Sequence, residues 1–431
     1  MRPGGPPAAA PGPKPGCARA PAIAAQLRLT VDAPFDPAVL RSFAAIAGTK
    51  VWRERLAVLR QAASTPTREG RQALQYHCIE LVIDRLQQPG AATRSLTTAE
   101  RRIVALTRDA VELFEALGGA AKDRMARRIQ AHVSPQNCLV PIFHELRTAA
   151  LQRSRGFEVC FSGLADETPF DLLIARDGVE AEVACHVISA EEGRGVHRGA
   201  WFKLVDRIDP ELQTWLRAHP GRYLLKLTFP LGLKTPASQD NALLPALHAR
   251  ITQMLSEQRR ADGDEAAVLR LDPLMLAAAQ ADELGLMPRL RQEFGPEAHL
   301  AVTTAGGGIF VMAARAGQQN EIAAAVRRCM AAIVSNRLTG ARPGILAMFI
   351  EDTDRVEWRL LRERLELEGE ARQFLTNPEA RPVVAVSCAS RLELFGLPEP
   401  DAVGEGELRF RNPAHPAAKQ PALAPAVLSS V

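Results

Sequence analysis

The chain has little of what marks several common classes of protein. Its seven cysteines are scattered and include no Cys-x-x-Cys pair, which argues against a disulfide scaffold and against a thiolate zinc site. The odd number of cysteines and their apolar neighbours predict reduced thiols in a cytoplasmic protein. No apolar run reaches the ~18 residues of a membrane span, and residues 1–24 lack the apolar stretch of a signal peptide. We therefore expect no membrane partner.

The fingerprints of nucleotide enzymes and zinc peptidases are also missing. Residues 305–308 read Ala-Gly-Gly-Gly, but no Lys-Ser or Lys-Thr follows them. This stretch therefore predicts a hairpin turn rather than a phosphate-binding loop. The nine histidines include no His-Glu-x-x-His. Aromatic residues make up only 5% of the chain, while Ala and Arg are abundant, as is typical of a GC-rich bacterial genome.

Basic residues are concentrated in the amino-terminal part of the chain. Residues 1–158 hold 23 Lys and Arg against 13 Asp and Glu, although the net charge of the whole chain is only +4. Apolar residues recur at helical spacing over residues 36–130, and Asp36-Pro37 and residues 97–100 are helix-start signals. A basic helical section favours nucleic-acid binding through phosphate neutralisation. Solvated, Arg-rich helix faces are the alternative.

The most informative stretch is residues 169–189. Asp177-Gly178 is a strong signal for a two-residue hairpin turn, because both positions of such a turn have positive φ. This turn pairs Arg176 with Val179 and, further along the ladder, sets Asp171 opposite Ala184.

The two faces of the hairpin differ in polarity. Alternate residues of a strand share a face, and the odd positions from 179 to 187 are all apolar. The other face gathers Asp171, Glu182 and His186 around Ala184. One interpretation is a half-buried hairpin with a solvated polar face, and the other is a catalytic site.

The flanking sequence favours the second interpretation, because it resembles the PD-(D/E)XK, or restriction-endonuclease-like, nuclease superfamily. In that family a helix carrying a Glu leads into a three-stranded meander, with an Asp on the second strand and Glu-x-Lys on the third. Here Glu145 lies in a predicted helix over residues 142–155, and Asp171 precedes a predicted strand over residues 179–188. Residues 193–197, Gly-Arg-Gly-Val-His, are similar to the segment that follows Glu-Cys-Lys in a bacterial subgroup. The resemblance covers residues 139–208 and extends in outline to residue 394.

The resemblance implies an α/β fold with a restriction-endonuclease-like mixed β-sheet flanked by helices, preceded by an all-helical domain. The expected divisions are a disordered tail over residues 1–24, the helical domain over 25–132, the α/β domain over 133–398 and a flexible tail over 399–431. The implied reaction is hydrolysis of a phosphodiester in DNA, or alternatively RNA, with Mg²⁺ or Mn²⁺.

The same resemblance implies roles for seven residues. Asp171 and Glu182 would hold the metal ion, Glu145 would assist them, and His186 would stand where the family has its Lys. Arg194, His197 and Arg198 form a basic cluster that would grip the nucleic-acid backbone or, alternatively, belong to a surface loop.

Two positions depart from the family pattern. With Cys185 as the anchor, the expected Glu falls on Ala184 and the expected Lys on His186. Mg²⁺ prefers oxygen ligands, and Ala184 supplies none, whereas Glu182 lies on the same face one pleat away. A His with a pKa near 6.5 is a weaker cation than Lys.

Three functions therefore remain open. The first is a metal-dependent endonuclease. The second is a catalytically inactive nuclease-fold protein that binds nucleic acid or a partner protein in bacterial defence or mobile-element biology. The third is a helical interaction protein whose α/β half resembles the nuclease fold by chance.

Overall fold

The computed structural model describes residues 35–90, 95–134, 137–234, 242–274, 283–295, 297–391 and 407–430. Within them the protein is an α/β molecule with two mixed β-sheets flanked by helices. The predicted tail over residues 1–24 lies outside the described residues. None of the described helices combines the length and the apolarity that crossing a bilayer requires.

The helices and strands follow the periodicity of the sequence closely. The helices are α1 (Pro37–Ile46), α2 (Thr49–Ser64), α3 (Arg68–Tyr76), α4 (Cys78–Leu86), α5 (Thr98–Ala116), α6 (Gly119–His132), α7 (Val140–Ser154), α8 (Ser162–Ala165), α9 (Arg198–Ala218), α10 (Leu243–Ser256), α11 (Glu283–Phe294), α12 (Ile322–Arg337), α13 (Arg355–Glu363), α14 (Glu366–Leu375) and α15 (Ala424–Val427). The strands are β1 (Glu158–Cys160), β2 (Leu172–Arg176), β3 (Val179–Ser189), β4 (Arg222–Phe229), β5 (Ala261–Gly263), β6 (Val268–Pro273), β7 (His299–Ala305), β8 (Gly308–Ala316), β9 (Gly344–Glu351), β10 (Val383–Ser390) and β11 (Leu408–Arg411).

Two predicted helix starts are confirmed by their caps. The side chain of Asp36 accepts a hydrogen bond from the Ala38 N–H and begins α1. Thr97 and Glu100 form a reciprocal capping box at the start of α5, because each side chain accepts from the other residue's backbone N–H.

The first sheet has six strands in the order β1-β2-β3-β9-β10-β11. β1, β2 and β3 form an antiparallel meander, and β9 and β10 continue the sheet parallel to β3. α7 and the amino-terminal helices cover one face, and α12 and α14 cover the other. The carboxyl ends of three parallel strands therefore lie together along one edge of the sheet.

The β2–β3 hairpin has the predicted register. Arg176 pairs with Val179, and Leu173 pairs with Glu182. Both turn residues have positive φ, 51° at Asp177 and 77° at Gly178, which agrees with a turn of the predicted type.

The second sheet is inserted between β3 and α12. Its five strands have the order β5-β6-β4-β8-β7. α9 and α10 cover one of its faces, and α11 packs on part of the other. The glycine-rich stretch forms the predicted hairpin turn between β7 and β8, where Ala305 pairs with Gly308.

The inserted segment leaves and re-enters the first half of the molecule at one place. The Glu321 N–H donates to the Gly193 carbonyl oxygen at 2.7 Å. A Cβ on Gly193 would lie 2.4 Å from the Cα of Ile322. Only glycine permits this close approach of the two chain segments.

The amino-terminal helices do not have a core of their own, in contrast to the predicted separate domain. One apolar cluster runs without interruption from α1 to the first sheet. Phe43 of α1, for example, packs edge-to-face on Phe143 of α7, with the ring centroids 6.0 Å apart. The helices and the first sheet are therefore expected to fold as one unit.

The prediction of a flexible tail over residues 399–431 is wrong for residues 407–430. β11 pairs with β10 at the edge of the first sheet, and Leu423 and Val427 are fully buried in the main core. The high content of Ala and Pro hid these apolar contacts in a stretch that lacks a regular helical or strand period. Residues 392–406 and 431 lie outside the described residues.

Candidate functional site

Glu145 and Asp171 both lie close to the side chain of one arginine, Arg128. Glu145 lies in the first half of α7, and Asp171 immediately precedes β2. Nη2 of Arg128, from α6, is 2.5 Å from Oε2 of Glu145 and 3.6 Å from Oδ1 of Asp171. Both carboxylates are buried, with 3% and 5% of the residue surface exposed. A guanidinium thus lies between the two carboxylates.

A second arginine binds Asp171 from the other side. Arg337, at the end of α12, donates through Nη2 to Oδ2 of Asp171 and through Nε to the Pro169 carbonyl oxygen at 2.9 Å. The same Oδ2 accepts from the Cys185 N–H at 2.7 Å. Both oxygens of Asp171 therefore face donors or cations of the protein itself.

Burial dominates the ionisation of Glu145. It raises the pKa of this carboxyl to about 7, an effect that Asp171 strengthens and Arg128 opposes. Its Oε1 is buried and has no hydrogen-bond partner. Glu145 also lines a small cavity whose other walls are mainly apolar side chains of α5, α6 and α7, and these apolar neighbours raise the desolvation cost of its charged form.

Glu182 is bound by the segment of chain that leads into β9. It is fully buried, and its carboxylate accepts from the Thr339 N–H at 2.8 Å and from the Thr339 hydroxyl. Arg342 Nη1 lies 3.8 Å from the same carboxylate. Glu182 was predicted to be a metal ligand. In the structure it instead fixes the segment before β9 against the hairpin.

The two positions that depart from the nuclease pattern are part of the packing. Ala184 is fully buried and contributes to the apolar layer between the first sheet and α12. His186 is half-buried, and its pKa is lowered by burial and by the nearby charge of Arg337, although Asp171 opposes this shift. A neutral imidazole at pH 7 cannot supply the positive charge of the family's Lys.

The carboxylates of this site do not fit a hard divalent ion. Mg²⁺ requires several oxygen ligands with lone pairs directed at it. Two arginines already neutralise Glu145 and Asp171, and Thr339 occupies both oxygens of Glu182. Across the described parts of the chain, no three His, Cys, Asp or Glu side chains come together as a group that could hold a metal ion.

The predicted basic cluster is an internal ion network. Arg194 is 4% exposed and binds Glu357, Glu191 and the Asp352 carbonyl oxygen. Arg198 binds Asp354 at 2.8 Å and Glu357 at 3.2 Å.

His197, the third member of the predicted cluster, is the N-cap residue of α9. Its pKa is lowered by burial and by Lys234 and Arg194. The network ties α9 to α13, and its buried arginine is not accessible to a phosphate backbone.

A second buried polar group lies at the carboxyl end of β9. Arg391 binds Glu351 and the backbone carbonyls of Gln75 and Tyr76, so it joins the sheet to α3. Burial raises the pKa of Glu351 to about 7 despite this partner, and Oε2 of Glu351 has no hydrogen bond.

Sequence reasoning missed the two arginines that define the site. In the sequence, Arg128 is recognisable only as one cation of a basic helix. Arg337 is not recognisable at all, because it is 166 residues away from Asp171. No local pattern marks a partner at that separation.

Comparisons of this chain with models of known protein families, with curated proteins and with solved structures find no match. The function must therefore be inferred from the residues and their geometry.

Proposed function

We propose that this protein is a catalytically inactive relative of the restriction-endonuclease-like nucleases and that it binds nucleic acid. The order of elements supports the kinship. A helix with a buried Glu, α7, leads into the β1–β2–β3 meander, and β9 extends the sheet parallel to β3. The resemblance of residues 139–208 to that superfamily implies the helix and the three-stranded meander in this order.

The observation that carries the loss of catalysis is the pairing of Arg128 and Arg337 with Glu145 and Asp171. The Arg128 guanidinium binds Glu145 and lies close to Asp171, one of the two predicted metal ligands. Buried opposite charges are costly to separate, because each ion left alone is poorly solvated. The arginines therefore oppose entry of Mg²⁺ or Mn²⁺, and we derive no catalytic step through a metal.

The substitutions on β3 have the same effect. Ala184 removes a carboxylate, and the lowered pKa of His186 removes a positive charge. In a nuclease these two groups would hold the metal ion and stabilise the charge that develops on the phosphate. Their loss leaves a scaffold able to bind nucleic acid but not to cleave it.

Nucleic acid is the proposed ligand because of the kinship and of the basic excess in residues 1–158, 23 Lys and Arg against 13 Asp and Glu. Two cations of the predicted basic helix have partners in the protein. Lys122 lies over the Phe114 ring at 4.6 Å, and Arg124 binds Glu167 and two backbone carbonyls. Arg127 is exposed on the same helix. We therefore expect weak, non-specific binding.

One experiment tests both halves of the proposal. Purified full-length protein is incubated with plasmid and single-stranded DNA in the presence of Mg²⁺ or Mn²⁺, and binding to the same DNA is measured by fluorescence anisotropy. We expect no cleavage, together with binding that weakens steeply between about 50 and about 200 mM salt, because phosphate contacts release counterions.

The controls separate the alternatives. Metal-dependent cleavage that is abolished by Asp171→Asn would show that the site is active and would refute the loss of catalysis. The absence of binding to DNA and to RNA at about 50 mM salt would refute the choice of ligand. Cleavage that persists in Asp171→Asn would identify a contaminating nuclease.

A further inference from the structure

The half of the second sheet's surface that α11 leaves open carries a group of long basic side chains. Strands β4, β6 and β8 direct their alternate residues to this face, away from α9 and α10. Leu286 and Leu290 of α11 pack on Leu224 and Val311 at one end of the face. At the other end Lys226, Arg270 and Arg315 face solvent.

The register fixes the spacing of these three cations. Lys226 pairs directly with Arg270 on β6, and Thr228, two residues further along β4, pairs with Arg315 on β8. Side chains directly opposite each other are about 5 Å apart at Cβ, and diagonal neighbours are about 7–8 Å apart. Lys226 and Arg270 therefore lie side by side, and Arg315 lies one pleat further along on the strand at the other side of β4. We call these three cations and Asp272 the row.

Like charges in directly opposite positions destabilise a sheet, and Asp272 offsets part of this cost. Its carboxylate accepts from Lys226 Nζ at 3.1 Å and from Arg270 Nε at 3.0 Å. With Arg315 included, the row of four side chains retains a net positive charge. Lys226 and Arg270 stay accessible, with 44% and 70% of their side chains exposed.

The cross-strand row next to Lys226 and Arg270 carries short side chains on β5, β6 and β4. Gly263 on β5 and Thr228 on β4 flank Val268 of β6 in the same cross-strand row. Small side chains between long cations allow a chain of phosphates to lie close to the sheet, while the cations extend to it.

We propose that this open face, defined by Lys226, Arg270 and Arg315, is the surface that binds the phosphate backbone of nucleic acid. The inference rests on the proposed function and names the surface that performs it. It differs from the expectation that the amino-terminal helices or residues 194–198 carry the binding. The side chains of Arg124, Arg194 and Arg198 are 21%, 1% and 21% exposed, whereas those of Lys226 and Arg270 are 44% and 70% exposed. Each cation would neutralise one phosphate and release counterions.

The test compares two triple variants of the full-length protein that remove the same charge. The first is Lys226→Gln, Arg270→Gln and Arg315→Gln on the open face. The matched control replaces three arginines of α13, α14 and their junction, Arg359→Gln, Arg364→Gln and Arg372→Gln, whose side chains are 62%, 54% and 66% exposed. Circular dichroism and thermal unfolding confirm that both variants fold.

Binding to a short single strand and to a duplex is measured by fluorescence anisotropy over a range of salt concentrations. We expect the open-face variant to bind more than about tenfold more weakly at about 100 mM salt, with the slope of log K against log salt reduced in magnitude by about three. The control should bind within about twofold of the wild type. Asp272→Asn should tighten binding about two- to fivefold, because it removes the opposing charge. A purely structural role of the row does not predict this gain.

The outcomes distinguish the two proposals. If the wild type binds and the open-face variant binds equally well, or if the control loses as much affinity, the surface is wrong while the proposed function stands. If the wild type binds no nucleic acid, both the function and the surface are refuted.

Discussion

Arg128 joins two carboxylates that come from different elements, Glu145 from α7 and Asp171 from the start of β2. Breaking a buried ion pair leaves an uncompensated charge and costs about 3–5 kcal/mol. The Arg128 side chain is 31% exposed, so water screens part of this loss. We expect Arg128→Met to lower the free energy of unfolding by about 2 kcal/mol in urea denaturation.

Arg127→Met is the matched control for this change, because Arg127 is exposed on the same helix. It should change the stability by no more than about 0.5 kcal/mol. Adding Glu145→Gln to Arg128→Met should restore part of the loss, since the unpaired carboxylate is then removed. Equal effects of the two single variants would show that the pairing of Arg128 contributes nothing.

Glu351 gives the protein a pH dependence of stability. Its pKa in the folded chain is about 7 because of burial, above the usual value of about 4.3 for Glu. The native state therefore favours the protonated acid. The stability that this contributes is complete below the usual pKa and is lost as the pH rises through 7.

The variant Glu351→Gln lacks this titration. We expect the wild type to lose on the order of 3 kcal/mol relative to the variant between about pH 4 and pH 8, as measured by urea denaturation at each pH. A difference between the two proteins that stays constant with pH would contradict the raised pKa.

The sequence revealed the acidic partners of the candidate site but not its basic ones. Glu145 and Asp171 follow from a local pattern of helix, meander and turn, which fixes their positions along the chain. Arg128 and Arg337 bind them through tertiary packing alone. Because Arg is common in this chain, nothing in its sequence distinguishes these two residues from solvated ones.

Among the elements, the β2–β3 turn depends on a glycine. Gly178 has φ of 77°, and no atom lies within 4 Å of the position that a Cβ would occupy there, so backbone strain is the only cost of a side chain. We expect Gly178→Ala to cost about 1 kcal/mol of the free energy of unfolding. Gly369→Ala is the control, because Gly369 is equally open but lies inside α14 without a positive φ, where Ala is favoured over Gly. If the two variants are equally stable, the turn is not of the assigned type.

The carboxyl-terminal segment is expected to stabilise the first sheet. Leu423 is fully buried, whereas Leu428, five residues later, is 46% exposed. Leu423→Ala should cost about 2–5 kcal/mol through lost burial and the cavity left behind, and Leu428→Ala about 0.5 kcal/mol or less. Thermal and urea unfolding of both variants measure the difference. If the segment is dispensable, both substitutions should change the free energy of unfolding by only about 0.5 kcal/mol or less.

Most elements were predictable because their apolar periods are regular, and the differences occur where a single residue interrupts a helix. Within the predicted helical section, residues 68–86 form two helices that meet at His77, whose Nδ1 accepts a hydrogen bond from Arg55 Nη2 at 3.1 Å. α13 and α14 are separated in the same way at Leu365, which has φ of 57° and is 59% exposed. Neither residue is a recognised helix breaker, so no local pattern marks either interruption.

At the scale of the whole molecule, the continuous core makes the amino-terminal helices dependent on the first sheet. Residues such as Phe43 and Ile129 lie in the same apolar cluster as the strands of that sheet. A fragment of residues 35–133 would expose this surface to water, at a cost of about 25 cal/mol per Å². We expect the fragment to lack fixed tertiary structure, with broad amide signals in its NMR spectrum. Sharp, dispersed signals would show an independent domain.

The number of sheets was not predictable from the sequence. Alternating helices and strands after residue 198 fit one enlarged sheet as well as an inserted second one, because periodicity does not specify which strands pair. β3 pairs with β9 across more than 150 residues of sequence, and this is a long-range contact. The close approach of Gly193 to Ile322 marks where the insertion begins and ends.

The Gly193–Glu321 junction, where the chain enters and leaves the inserted segment, also affects how the protein would respond to mechanical tension. The described chain begins and ends in the half that contains the first sheet, where α1 packs on α5 and Ser430 hydrogen-bonds to Arg409. A force applied between these two positions would load the first sheet directly, whereas the inserted sheet is linked to that half by the Gly193–Glu321 junction and by the bonds of Arg68 and Glu69 to Asp206. The second sheet is thereby shielded, and a stretched molecule would lose its first sheet before its second.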